Sequence, residues 1–453
     1  MKKRWIAITL LALLLLLVGC TQENENTDAA ITQGSGSRNG EQVQDESVEE
    51  TVELRLAWWG GEDRHSATID AVNKYMEMHP NVKVVYENQG WEGYKEKIYT
   101  QLASGNAPHL FQNHYTWLPE QAVKGDLIKD LSGYMEQLNE DIFPEGFLDT
   151  NVNFDGKTLA IPVSLNTTAI VANKQLLDEA EIDYTKAWSF EDYFEANQKL
   201  KALNTEYFVE NGMASSDIHK YWFAIYLTQL TGKKYTTDYQ LSYDYEDVVS
   251  GFSFIKRMFD EGAVEPLGTL ELYSGKYDQN PKWINGESAL SYGMLSTIDA
   301  TANVDYETVV IQPPILAGAL DSYYKIICGH VFSIPESASD KETEEAVKLL
   351  EWLMNSEEAA KELGLSRGIP ISSAQKKVLE EENLINPQVT QAEQYIRDLG
   401  DGIGEDTLIR NKEIEAIGAE IISKVAFDML TPEEAASEYI ELINVKLSEL
   451  KPE

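Results

Sequence analysis

Ala57-Trp58-Trp59-Gly60-Gly61-Glu62-Asp63-Arg64-His65-Ser66 joins two different periodicities, and its reading decides the fold. Before it, Val52, Leu54, Leu56 and Trp58 alternate with Glu53 and Arg55, the period-2 pattern of a strand over residues 51–58. After it, Ile69, Val72 and Met76 recur at helical spacing from Ser66, and Pro80 closes the run. The stretch is therefore a strand-to-helix loop, the place where open α/β sheets bind ligands. The helix N-terminus behind it offers free N–H groups and a positive dipole end. Two adjacent indoles on such a loop are costly to expose. Alternation turns Trp58 toward the Leu54 and Leu56 face, so Trp59 is the one expected to meet a ligand.

Working outward, residues 81–87 read as a second strand, with Val82, Val84 and Tyr86 alternating. Gly90-Trp91-Glu92-Gly93-Tyr94 opens a helix carrying Tyr94, Ile98 and Leu102 on one face. Ser104-Gly105-Asn106-Ala107-Pro108 ends it, and His109-Leu110-Phe111-Gln112 is a short strand leading into Asn113-His114-Tyr115-Thr116-Trp117. Strand, helix, strand, helix, strand is the signature of a doubly wound parallel sheet. Both strand-to-helix junctions carry Trp or His, and they converge at one sheet edge.

The chain has 453 residues, too many for one core, with 76 acidic against 37 basic side chains and a net charge of −39. Such a surface repels phosphate backbones and anionic lipid, which excludes a nucleic-acid binder and a basic surface helix. It also keeps copies apart, and a monomer is expected. Lys2, Lys3 and Arg4 precede an apolar run, residues 6–18, too short to span a bilayer comfortably. That run ends in Leu17-Val18-Gly19-Cys20, which resembles a bacterial lipobox. The resemblance implies a leader of residues 1–19, cleavage before Cys20 and two acyl chains on its sulfur, enough for stable anchoring outside the cell. Residues 20–50 then form an acidic, Gly/Ser-centred tether with too little apolar surface to fold. Cys328, the other cysteine, stands alone in an apolar run and reads as a small buried hydrophobe.

Catalytic motifs were sought: Gly-x-Ser-x-Gly, His-Glu-x-x-His and Gly-x-x-x-x-Gly-Lys-Ser/Thr do not occur. His65, His79, His109, His114, His219 and His330 show no metal-ligand spacing. Asn151-Val152-Asn153-Phe154-Asp155-Gly156 opens like a calcium loop, but Pro162 stands where the bidentate Glu belongs. No cofactor or metal is expected. A carboxylate pair suited to glycoside cleavage is a matter of spatial separation, so a surface glycosidase or lyase stands as the rival reading.

The ordered motifs carry a family resemblance. Leu102-Ala103-Ser104-Gly105-Asn106-Ala107-Pro108, Gly125-Asp126-Leu127-Ile128-Lys129-Asp130-Leu131 and Phe154-Asp155-Gly156-Lys157 through Pro162 come first. Trp283-Ile284-Asn285-Gly286-Glu287, Gly329-His330-Val331-Phe332-Ser333-Ile334-Pro335 and Arg367-Gly368-Ile369-Pro370 follow. Together they resemble the extracellular solute-binding proteins, family 1, of bacterial carbohydrate ABC importers; His109 departs from the Asp that family carries after its Pro. The resemblance implies an α/β, two-lobe periplasmic-binding-protein-like fold of type II, with three segments crossing beneath an interlobe cleft. It places residues 51–163 and 312–368 in one lobe and residues 164–311 and 369–453 in the other. It further implies a carbohydrate ligand handed to ABC permease subunits, or, as a rival, to a sugar-sensing signalling partner.

Sugars present apolar C–H faces and equatorial hydroxyls, which call for aromatic platforms with amides, carboxylates or Arg. Trp58, Trp59, Arg64, His65, Trp91, Asn113 and His114 are the expected ligand contacts of the first lobe. Asn166 is expected on the crossing, Trp222, Trp283 and Met294 on the second lobe, and Arg367 at the third crossing. Trp58-Trp59-Gly60-Gly61 with Arg64-His65 and Gly90-Trp91 with Tyr94 resembles a subgroup associated with plant-polysaccharide oligomers, acidic ones included.

Overall fold

The computed structural model describes residues 51–451 apart from 126, 140, 141, 144–146 and 155. The leader, Cys20 and the tether lie outside the described residues, as does Asp155 of the calcium-like loop. The opening elements follow the sequence: β1 (Val52–Trp59), α1 (Glu62–Met78), β2 (Val82–Gln89), α2 (Tyr94–Ala103) and β3 (Leu110–Asn113). α1 starts at Glu62, ahead of the expected Ser66, because Gly60-Gly61 turns the chain sharply and Glu62 and Asp63 suit the positive helix end. Its buried face is Thr68, Ala71, Val72 and Tyr75, rotated slightly from the Ile69 and Met76 line.

Two sheets organise the chain. The six-stranded sheet runs Ile369–Pro370, Ile161–Asn166, Ile327–Ser333, β3, β1, β2. β1 pairs parallel with both β2 and β3, as the βαβ reading requires, and the Ile327–Ser333 strand adds antiparallel to β3. The four-stranded sheet runs Thr308–Ile311, Thr168–Asn173, Ser288–Met294, Phe208–Glu210. Each sheet is the centre of a lobe with its own apolar core. A third cluster, with Ala169, Val171, Trp283, Ile298, Ile369 and Leu379, fills the base between them. Capping is as the sequence implied for the last long helix, Pro432–Leu450: Thr431 and Glu434 form a capping box, with Pro432 at the first helical position.

Three segments pass between the sheets, and their positions differ from the expected boundaries. Ile161–Asn166 lies wholly in the first sheet and Thr168–Asn173 in the second, so the first passage is at Thr167, not after residue 163. The second is late: residues 312–326 stay on the second lobe, with Tyr323 and Tyr324 in its core, before Ile327 enters the first sheet. The third follows Pro370, because Ile369 and Pro370 still pair with Leu165 and Ser164. Gly368 permits that pairing. It adopts φ +92°, and a Cβ there would meet the Leu165 carbonyl oxygen at 2.9 Å.

Candidate functional site

The C-terminal ends of β1 and β3 and the loop before α2 meet at one edge of the first sheet, and there the aromatic side chains converge. Trp58 and Trp59 part as alternation demands. Trp58 is fully buried, donating from Nε1 to His65 Nδ1 at 3.1 Å. Trp59 turns to the other face. Its ring lies 5.2 Å from Trp91, 5.1 Å from Tyr94, 5.7 Å from Trp117 and 5.7 Å from His330, centroid to centroid. Trp91 stacks on Trp117 at 5.4 Å, and His114 stands 5.8 Å from Trp91. Trp59 and Trp117 are 7 % exposed, whereas Trp91 is 49 % exposed. The cluster is thus a floor of buried rings holding one indole with an open face.

Burial holds the His114 ring neutral, its pKa pushed down to about 3, with the Arg410 guanidinium of the second lobe and Lys95 adding to the effect. Nδ1 of His114 is paired with Thr116 Oγ1 at 2.8 Å, leaving Nε2 for another partner. Tyr115 stacks beside it at 5.0 Å and feels the charges of Glu405 and Arg410. These couplings identify the opposing wall. Arg410 donates to Tyr221 Oη at 3.1 Å and pairs with Glu405, and Tyr221 packs on Tyr292 at 5.3 Å. Nearby, Tyr323 has a left-handed backbone, φ 68°, and its buried hydroxyl has no hydrogen-bond partner.

Arg64 leans back across Gly60, where a Cβ would stand 2.6 Å from Arg64 Cδ. Its Nε donates to the Ser366 carbonyl and its Nη1 to the Trp59 carbonyl at 3.1 Å. Burial lowers its pKa to about 10. His65 is half-buried beneath Trp58. Asn166 sits at the first passage, 9 % exposed, donating to Ser296 Oγ at 3.2 Å and so tying the first sheet to the second lobe. Met294 is half-buried at the end of its strand, where its N–H is held by Thr297 Oγ1 at 3.1 Å.

Besides the buried Trp58, four expected contacts are placed elsewhere. Asn113 is fully buried, donating to Gln121 Oε1 at 2.8 Å and to Ser333 Oγ at 3.0 Å, and accepting from the His114 N–H. Trp222 is buried, its Nε1 donating to Glu210 Oε1 at 3.2 Å; the half-buried neighbour Tyr221 is the one that meets Arg410. Trp283 is fully buried in the base cluster, donating to the Thr301 carbonyl at 2.9 Å. Arg367 points away from the aromatic face, into the layer between α1 and the sheet, where it donates to Gln112 Oε1 and Thr68 Oγ1. In each case an internal partner consumes the polar group.

Trp117, Tyr115 and His330 were passed over as site residues, although the aromatic run after β3 is itself a signal. Tyr292, Tyr323, Glu405 and Arg410 carry no local signal. Among the described residues, no group of three or more His, Cys, Asp or Glu side chains is arranged to hold a metal, and no helix is long and apolar enough to cross a membrane. Cys328 is buried and free.

Comparison with known proteins bears on the family and the fold. Residues 60–360 match the family model described as bacterial extracellular solute-binding protein. A periplasmic solute-binding protein from Pectobacterium atrosepticum superposes with a TM-score of 0.82 at 24% identity, covering 89% of this chain and 100% of that one. A periplasmic oligogalacturonide-binding protein from Yersinia enterocolitica, in complex with saturated digalacturonic acid, gives 0.78 at 25% identity, covering 88% and 100%. In sequence, a diacetylchitobiose-binding protein of Streptomyces coelicolor is 33% identical over 109 residues, 24% of this chain and 25% of that relative's length. The chain therefore aligns with only a quarter of that curated relative.

Proposed function

The chain belongs to the bacterial extracellular solute-binding proteins, and from that premise we propose that it captures an oligosaccharide outside the cell and delivers it to an ABC permease. One observation carries the reading: Trp91, with its 49 % exposed indole propped on Trp117 and Trp59, opposite a second-lobe wall of Tyr221 and Arg410. An indole held rigid with one face open suits the C–H face of a pyranose ring. His114 Nε2, the Tyr323 hydroxyl and Arg410 are polar groups of both walls that suit its hydroxyls. Contacts from both lobes favour the closed form, since ligand held by one lobe alone shifts nothing.

The ligand proposed is a short plant-polysaccharide fragment, with uronate-containing chains preferred. The Arg64 guanidinium beside Trp59 supports the preference, as does the digalacturonate complex of the Yersinia relative. The protein acts as a monomeric receptor and not as an enzyme, anchored at the outer face of the cell membrane through acylated Cys20. Calorimetry with di- to tetrasaccharides of galacturonate, and of neutral hexoses and pentoses, tests it. Micromolar binding, about −8 kcal/mol, without product formation is expected; turnover of any of these sugars sinks the receptor reading. Cys20→Ser is expected to move the protein from the membrane fraction to the medium.

A further inference from the structure

Six arginines lie among the described residues, and four of them pair with carboxylates: Arg55 with Glu87, Arg257 with Glu191, Arg397 with Glu393, and Arg410 with Glu405. Arg64 and Arg367 do not. In a chain with 76 acidic side chains, that contrast is specific. Arg367 is 8 % exposed, and the charge acting on it at neutral pH is that of Arg64, with no carboxylate beside it. Holding a guanidinium in such a place without a counter-charge is expensive, several kcal/mol by the usual desolvation penalty for an ion.

The surroundings supply two neutral acceptors and no carboxylate. Arg367 Nε donates to Gln112 Oε1 at 3.1 Å and Nη2 to Thr68 Oγ1 at 2.8 Å, which leaves Nη1 unused. The other end of the same carboxamide, Gln112 Nε2, is buried without a partner, and so is the hydroxyl of the adjoining Ser366. Arg367 and Ser366 line a small cavity of about 40 Å³, partly open to solvent, whose remaining walls include Phe332, Leu353 and Leu363. This cavity lies on the α1 face of the sheet. Trp59 and Tyr94 occupy the opposite face, and His330, 5.7 Å from Trp59, borders both, its Nδ1 lying 2.9 Å from the Arg367 carbonyl and 3.4 Å from Ser164 Oγ. Unsatisfied donors around an uncompensated cation specify a missing negative acceptor.

We propose that the cavity at Arg367 is a binding site for one small monovalent anion, a halide or a carboxylate the size of formate, held by the Arg367 guanidinium, the Gln112 amide N–H and the Ser366 hydroxyl. The lining draws on the three first-sheet strands that lead into the passages, through Ser164, Phe332 and Pro370, so occupancy braces the segments on which the lobes turn. The site is independent of the sugar reading.

The test is the melting temperature of the purified protein at fixed ionic strength, with isethionate replaced stepwise by chloride in one series and by formate in another. A rise that saturates in either series is expected; an identical response to every salt overturns the proposal. Gln112→Glu places a carboxylate beside Arg367. It is expected to raise the melting temperature in isethionate and to abolish the response to chloride and formate. If the site needs no anion, the new buried carboxylate lowers the melting temperature in all buffers alike, which also overturns it. Bromide-soaked crystals are expected to show an anomalous peak at Arg367; peaks confined to surface lysines refute the assignment.

Discussion

Arg64 Nε, on the first turn of α1, donates to the carbonyl oxygen of Ser366 at 2.6 Å, joining positions 302 residues apart. The bond links the element that ends the aromatic loop to the last segment passing between the lobes. Because Nη1 also holds the Trp59 carbonyl, one side chain sets both the indole and the return segment.

Arg64→Ala should therefore act in two ways. Loss of two charge-assisted hydrogen bonds, offset by removal of a buried charge, is expected to cost about 1–2 kcal/mol of stability, read from denaturant midpoints. Calorimetry should show uronate oligomers losing at least tenfold more affinity than neutral ones. Equal losses for both would remove the ion-pair role.

Trp91→Ala removes the open platform while leaving the buried rings in place. A drop in oligosaccharide affinity of roughly tenfold to a hundredfold is expected, about 1.5–3 kcal/mol. Stability should change by less than about 1 kcal/mol, as for a partly exposed side chain away from the core. An unchanged dissociation constant would mean that the sugar sits elsewhere.

Trp283→Ala is the converse case. Its indole is fully buried and its N–H is satisfied by Thr301, so a loss of about 3–5 kcal/mol in stability is expected. Affinity measured on the remaining folded fraction should stay within about twofold of the parent. Thermal melts and calorimetry on the same sample separate the two effects.

Glu210 gives a pH signature. Burial against Trp222 and Tyr193 pushes its pKa from 4.5 up to about 7, despite the hydrogen bonds those residues donate. Between those values the folded chain keeps a proton that the unfolded chain has released. Its contribution to stability thus falls as pH rises from 4.5 to about 7 and is level above that, a total of roughly 3 kcal/mol. Glu210→Gln, still able to accept from Trp222 Nε1, should flatten that slope in urea titrations at pH 5, 6, 7 and 8. A slope identical to the parent's would assign the proton elsewhere.

Much of the fold was written locally. The alternation through Trp58, the helix spacing of Tyr94, Ile98 and Leu102, and the capping box at Thr431 depend on neighbours in the chain, and each took the expected form. Separating Trp59 from Trp58 needed only the period of a strand. The site was less legible because a polar or aromatic side chain is free for ligand only if nothing distant has claimed it. Asn113 is claimed by Ser333, 220 residues away, and Trp283 by Thr301. Conversely, Arg410 meets Tyr221 from a short helical turn near the C-terminus, and Tyr323 enters the second-lobe core just ahead of the late second passage. No spacing in the sequence records those routes. The passage boundaries moved for a related reason: an apolar run such as Leu159 to Val163 marks burial, and burial is the same on either side of a crossing.

The first passage has a mechanical consequence. Thr167 is the whole of the first of the three passages, and its hydroxyl donates to the Lys325 carbonyl on the second passage at 2.7 Å, while its own carbonyl accepts from the Leu295 N–H at 3.0 Å. A connector one residue long, pinned to its neighbour, behaves as an axle. It leaves one rotational degree of freedom and removes twist and slide, since only a few dihedrals are available to absorb the motion. A pair of dyes placed across the cleft would then report two discrete separations. That makes this chain a ready scaffold for a binary optical sensor of its own ligand.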